Sequence, residues 1–141
     1  MDGFINLLKP PGMTSHDAVG YVRRQLGEKK IGHAGTLDPG AAGVLPIAVG
    51  KATRLIEYLD GVEKAYRAEL LFGYATDSGD DSGQVLEQAD SFVMPTKEKL
   101  LEAFQHFTGN ITQIPPAHSA IKINGRRACD LLREGQKVDI P

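Results

Sequence analysis

The stretch Gly32-His33-Ala34-Gly35-Thr36-Leu37-Asp38-Pro39, running on to Gly43-Val44-Leu45-Pro46, is the densest cluster of residues fit for chemistry. Glycines allow backbone conformations closed to other residues and let a chain approach a ligand closely. Pro39 stiffens the loop and biases Asp38 towards extended geometry. Aspartate is ordinarily a carboxylate at neutral pH and can serve as nucleophile or base. An aspartate on a stiff, glycine-flanked loop is therefore placed to present its charge to a substrate. Nothing in the spacing excludes an Asx-type turn aspartate bonding its own backbone.

Other candidate chemistries fail on their spacing. Gly50-Lys51 suggests a phosphate loop, but Leu45 stands where the first glycine is needed and Ala52 where a Ser or Thr is needed. Asp77, Gly79 and Asp81 suggest a calcium loop, but Ser82 and Gln88 occupy the Gly and Glu positions. His16, His33, His106, His118 and Cys129 have no zinc-ligand spacing, so no metal is expected. Cys129 is read as a small buried residue. A lone cysteine excludes an intrachain disulfide and fits a reducing compartment.

The 141 residues suffice for one domain with a core, and the composition is that of a globular chain, 41% hydrophobic and 24% charged. A formal charge of −2 does not announce a nucleic-acid binder. Charge is clustered, however: Arg23, Arg24, Lys29 and Lys30 in one place, Lys122, Arg126, Arg127 and Arg133 in another. Such patches can bind phosphates or simply be solvated faces. No signal-peptide pattern opens the chain, and no apolar run nears the roughly 20 residues of a membrane span, so a cytoplasmic protein with no membrane association is expected.

The elements that must position the Asp38 loop follow from the pattern. Residues 4–8 read as a strand stopped by Lys9-Pro10-Pro11-Gly12. Thr14 or Ser15 caps a helix with Asp17 in its first turn, Val19, Val22 and Leu26 on one face, and Gly27 at its end. Residues 32–43 read as a loop and Val44–Val49 as a buried apolar segment broken by Gly50. Leu55, Ile56 and Leu59 suggest a helix ending at Gly61. Tyr66, Ala68, Leu70 and Phe72 alternate, predicting a strand over 65–72. A loop over 73–83, a strand over 84–87 and a helix from Pro95-Thr96 to Gly109 follow, that helix turning Leu100, Phe104 and Phe107 inward. After Pro115-Pro116 a short strand, Ala120 to Ile123, leads through an Asn124-Gly125 turn to a basic helix ending before Gly135. Mixed order without βαβ alternation predicts an α+β fold.

The linked motifs carry a resemblance. Lys9-Pro10-Pro11-Gly12-Met13-Thr14-Ser15-His16-Asp17-Ala18 resembles the first motif of the bacterial tRNA pseudouridine-55 synthases, and residues 32–54 resemble their second, which holds the catalytic aspartate. Lys64-Ala65-Tyr66-Arg67 with Phe72-Gly73 and Thr76-Asp77 is similar to the next. Ser119-Ala120-Ile121-Lys122 with Gly125-Arg126-Arg127-Ala128 resembles an RNA-gripping insertion. The match runs in order along nearly the whole chain.

The resemblance implies a pseudouridine-synthase-type mixed, largely antiparallel sheet flanked by helices. It implies isomerisation of a uridine in the T loop of tRNA, with the T-arm stem-loop as partner and with no cofactor and no obligate protein partner. Asp38 becomes the catalytic carboxylate. Tyr66 becomes the ring that stacks on the uracil and takes the C5 proton, the plain alternative being a core tyrosine. His33 would fill the tRNA loop or help extrude the uridine, or be an ordinary loop histidine. Lys9 and Pro10 would hold the Asp38 loop, against a solvated surface lysine. Arg54 would lie near substrate phosphates, against a solvated helix arginine. Lys122, Arg126 and Arg127 would grip RNA.

Two substitutions depart from the family pattern: His118 stands where a tyrosine is usual and Cys129 where an aromatic is usual. Both bear on RNA stacking in the insertion and leave the Asp38 chemistry untouched. The family's arginine that pairs with the catalytic aspartate, its last sheet strands and its C-terminal RNA-binding domain are expected beyond residue 141. Residues 1–112 are thus read as the N-terminal part of the catalytic domain and 113–141 as the start of the insertion. A non-catalytic tRNA-binding or remodelling module is the alternative for this stretch alone. A nucleotide-binding enzyme is a third, opposed by the failed phosphate loop.

Overall fold

A computed structural model describes residues 1–59, 61–114, 121–136 and 138, in two units, Met1–Arg67 and Ala68–Pro141. In the first unit β1 (Gly3–Lys9), β2 (Ile31–His33) and β3 (Gly43–Val49) form an antiparallel sheet of order β1-β3-β2. The β1–β3 register places Ile5 opposite Ile47 and Leu7 opposite Leu45. Period-two alternation sends Ile5, Leu7 and Lys9 inward and Phe4, Asn6 and Leu8 outward. Val44 follows the same rule and is exposed, which corrects the expectation of a continuously buried 44–49 segment.

Helix α1 (Ser15–Leu26) covers the inner face. Ala18, Val19 and Val22 pack with Ile31, Leu45, Ile47 and Val49, and Ile5, Leu7, Met13 and Leu37 close the cluster. Its start is a capping box: Thr14 Oγ1 accepts from the Asp17 N–H at 3.0 Å, and the Asp17 carboxylate accepts from the Thr14 N–H at 3.0 Å. Gly27, at φ 62, ends it in the left-handed conformation. Leu26, expected on the buried face, is partly exposed.

Strand β2 lies where a loop was expected. Three residues carry no periodicity; pairing of Ile31 with Val49 and His33 with Ile47 makes them a strand. Residues Gly50–Leu59 form a 3-10 helix that starts at the expected breaker and ends short of Gly61.

In the second unit β4 (Tyr74–Thr76) and β5 (Val85–Gln88) pair antiparallel, so part of the expected 73–83 loop is strand. Helix α2 (Lys97–Gln105) starts at the N-cap Thr96 and has no buried residue. Phe104 and Phe107 are exposed, correcting the inward assignment: an amphipathic stripe says which face would be covered, not that a partner covers it. Strands β6 (Lys122–Ile123) and β7 (Arg126–Arg127) flank the Asn124-Gly125 turn, both turn residues at positive φ as a two-residue hairpin of the primed type requires. Helix α3 (Ala128–Arg133) follows. Ala120 and its neighbours 115–119 lie outside the described residues.

The strand expected over 65–72 is not formed. Residues 62–72 have no regular structure, and Val62, Tyr66, Leu70 and Leu71 are exposed. Alternation supplies a face but not a neighbour, and a strand needs both. The α+β class and the antiparallel pairing stand as expected.

Candidate active site

The Asp38 loop is tied at both flanks to residues 9–15, which run from the end of β1 through the turn to the start of α1. Lys9 ends β1 on the inner face with no exposed surface. Its ammonium donates to the carbonyls of Met13 at 2.8 Å, Pro10 at 3.0 Å and Pro39 at 3.5 Å. The reading of Lys9 as a solvated surface lysine is therefore wrong. The Pro39 carbonyl also accepts from the Gly12 N–H at 2.7 Å, and Gly12, at φ 87, holds a conformation that suits glycine.

On the other flank, Ser15 Oγ donates to the Leu37 carbonyl at 3.0 Å and accepts from the Leu37 N–H at 2.9 Å, while the Leu37 side chain packs on the core. Sequence reasoning missed Ser15. The signal was there: two adjacent hydroxyls start the helix, and the cap uses only Thr14.

Between these anchors Asp38 is exposed. Its carbonyl accepts from the Ala41 N–H at 3.1 Å, but its carboxylate has no hydrogen bond or ion pair among the described residues. The Asx-turn alternative thus lacks the side-chain bond that defines it. A free carboxylate on a fixed loop can act as base, nucleophile or counter-charge.

His33 ends β2 beside this loop, its Nδ1 in close hydrogen-bond contact with the Gly35 carbonyl. The Ala34 N–H donates to the Pro46 carbonyl at 2.9 Å, continuing the β2–β3 pairing into the loop. Pro10 is exposed and contributes its carbonyl to Lys9.

Within the first unit, Tyr66 and Arg54 make no hydrogen bond to this loop among the described residues. Tyr66 is 73% exposed, which removes the core-tyrosine alternative, and no hydrogen bond or ring contact joins it to the Asp38 loop among the described residues. Arg54 is exposed on the 3-10 helix without an ion-pair partner among the described residues. Lys122 and Arg126 belong to the hairpin of the second unit, and Arg126 pairs with Glu134. Arg127 lies on β7. No group of His, Cys, Asp or Glu among the described residues has the geometry of a metal site. No helix among them is long and apolar enough to cross a membrane.

Residues 23–141 match the model of the TruB family pseudouridylate synthase N-terminal domain. The chain belongs to that family. It is 55% identical over 139 residues to the tRNA pseudouridine synthase B of Symbiobacterium thermophilum, covering 99% of this chain and 46% of that protein. The enzyme of the same name from Carboxydothermus hydrogenoformans is 55% identical over 142 residues, covering 100% of this chain and 49% of the relative. That of Streptococcus gordonii is 53% identical, with 48% of it covered. The chain thus spans about half the length of these relatives. Among solved structures, one of a Cbf5-Nop10-Gar1 complex matches with a TM-score of 0.56 at 34% identity, over 85% of this chain and 31% of that one. In this TruB-family chain, hydrogen bonds from Lys9, Gly12 and Ser15 bring residues 9–15 against Leu37 and Pro39, on either side of Asp38.

Proposed function

We propose that the protein containing this chain converts uridine to pseudouridine in the T loop of tRNA, at position 55, with Asp38 as the catalytic carboxylate. The observation that carries the reading is the exposed Asp38 carboxylate, without a partner among the described residues, on a loop fixed at both flanks within a TruB-family chain. Pseudouridine formation in tRNA is the activity named for the curated relatives.

The physical demands fit the residues. A uridine stacked in a tRNA loop hides its glycosidic bond, so it must be extruded at a cost of a few kcal/mol. Tyr66, largely exposed, supplies a ring whose stacking returns about 1–3 kcal/mol per base. His33, Lys122, Arg126 and Arg127 contact the RNA, whose folded form is recognised chiefly by shape and phosphate. The C1′–N1 bond breaks, the uracil turns while held, C5 bonds to C1′, Tyr66 takes the C5 proton, and N1, no longer bonded to the sugar, gains a proton. A carboxylate at Asp38 serves attack at C1′, attack at C6, or removal of a sugar proton.

The test is tritium release from tRNA labelled at uracil C5, using the full-length protein. Release that depends on Asp38 is expected. Tight tRNA binding without any release would overturn the reading in favour of a non-catalytic RNA-binding module.

A further inference from the structure

The first residue of α1 makes bonds that the helix itself does not need. Thr14 and Asp17 already complete the cap, which leaves the Ser15 hydroxyl free, in a residue only 4% exposed. A hydroxyl offers one donor and two acceptor sites. Ser15 uses both functions on one residue, donating to the Leu37 carbonyl at 3.0 Å and accepting from the Leu37 N–H at 2.9 Å.

The consequence falls on Asp38. The Leu37 carbonyl lies in the planar peptide unit that ends at the Asp38 Cα, so holding that oxygen holds the plane. The next plane begins at the Asp38 carbonyl, which accepts from the Ala41 N–H at 3.1 Å and leads into Pro39, whose own carbonyl is bound by Gly12. With both planes set, the direction of the Asp38 Cβ is set. Among the described residues, only Ser15 does this on the Leu37 side.

We propose that Ser15 is a positioning residue for Asp38, its buried hydroxyl gripping both backbone groups of Leu37 so that the carboxylate meets the uridine in one orientation. The inference rests on the functional reading above. A misplacement of about 1 Å in a reacting group can cost on the order of 100-fold in rate. In the full-length enzyme, Ser15→Ala is expected to lower the single-turnover rate constant by roughly 10- to 100-fold. The tRNA Kd should be unchanged, because the buried hydroxyl has no surface to offer RNA.

Two controls separate positioning from folding. Val22→Ala removes core packing from the same helix and leaves the Ser15 hydroxyl and its two bonds to Leu37 in place, so it should lower Tm and leave the rate intact. Amide exchange at Leu37 should quicken in Ser15→Ala, while exchange in β1 and β3 stays slow. An unchanged rate in Ser15→Ala, unchanged Leu37 exchange, or rate losses in both variants that simply follow Tm would each overturn the proposal. A wild-type enzyme that forms no pseudouridine would instead overturn the functional reading, and the Leu37 exchange would still report whether Ser15 holds the loop.

Discussion

The Lys9 ammonium reaches the carbonyl oxygen of Pro39 at 3.5 Å, joining the end of β1 to the residue that follows Asp38. Lys9 is fully buried and its partners are carbonyl dipoles rather than a carboxylate. Burying an ammonium is costly unless hydrogen bonds replace its water, and three carbonyls from two loops do so here. The same three bonds make the lysine a tie between the loops.

Lys9→Met should therefore destabilise the first unit even though it removes a buried charge. A buried group left without its partner costs about 1–3 kcal/mol, and the carbonyls of Pro10 and Met13 lose theirs. Urea unfolding of the full-length protein measures this. A variant as stable as the parent would mean that the ammonium's bonds contribute nothing net.

Asp17 gives α1 a dependence on pH. The Thr14 hydroxyl first, and then the Thr14 N–H, hold the Asp17 carboxyl below its ordinary value; slight burial opposes this, and His16 and Arg24 add to it. An acid depressed in the folded state stabilises fully above its unfolded value of about 3.9, and that contribution is lost as pH falls through the lower folded value. The Tm gap between wild type and Asp17→Asn should be wide near neutral pH and close on acidification. A gap independent of pH would mean that the carboxylate's charge is not what Thr14 recognises. Thr14→Ala, which removes the cap itself, should cost about 1 kcal/mol.

Gly50 opens the 3-10 helix at φ 62, its N–H donating to the Lys30 carbonyl at 2.7 Å. A Cβ there would clash with the Met1 carbonyl oxygen and the Asp2 carboxylate. Gly50→Ala should cost at least about 1–2 kcal/mol from backbone strain alone, with the steric clash in addition. Thermal unfolding reads this directly, and a Tm equal to wild type would show that the N-terminus moves aside freely.

Asp38→Asn in the full-length enzyme should abolish tritium release from C5-labelled tRNA and retain tRNA binding, since the amide keeps the shape and loses the charge. Turnover at the wild-type rate would remove Asp38 from the chemistry. Tyr66→Phe should keep the stacking and lose much of the rate. A rate unchanged by that substitution would exclude the hydroxyl as the base.

The residues of the site were legible in the sequence wherever chemistry and local order coincide. Glycines, Pro39 and Asp38 in one short run marked the loop. Thr14, Asp17 and Gly27 marked the ends of α1, because capping depends on residues within one turn of each other. Alternation in Ile5, Leu7 and Lys9 set the face of β1. What a side chain touches across the fold was not legible. The same alternation gave a strand at β1 and none over 65–72, because β1 has β3 beside it and Tyr66 has no neighbouring strand among the described residues. Lys9 read as a possible surface lysine and Ser15 as a spare cap; both became anchors of the Asp38 loop only when folding brought residues 9–15 against 37–39. Sequence by itself determined the candidate reactive group, Asp38, and the capped ends of α1, because these depend on near neighbours along the chain. Tertiary structure alone decided which groups fix that reactive group in place, because hydrogen bonds form between atoms close in space, and Ser15 and Leu37 are close only in the folded protein.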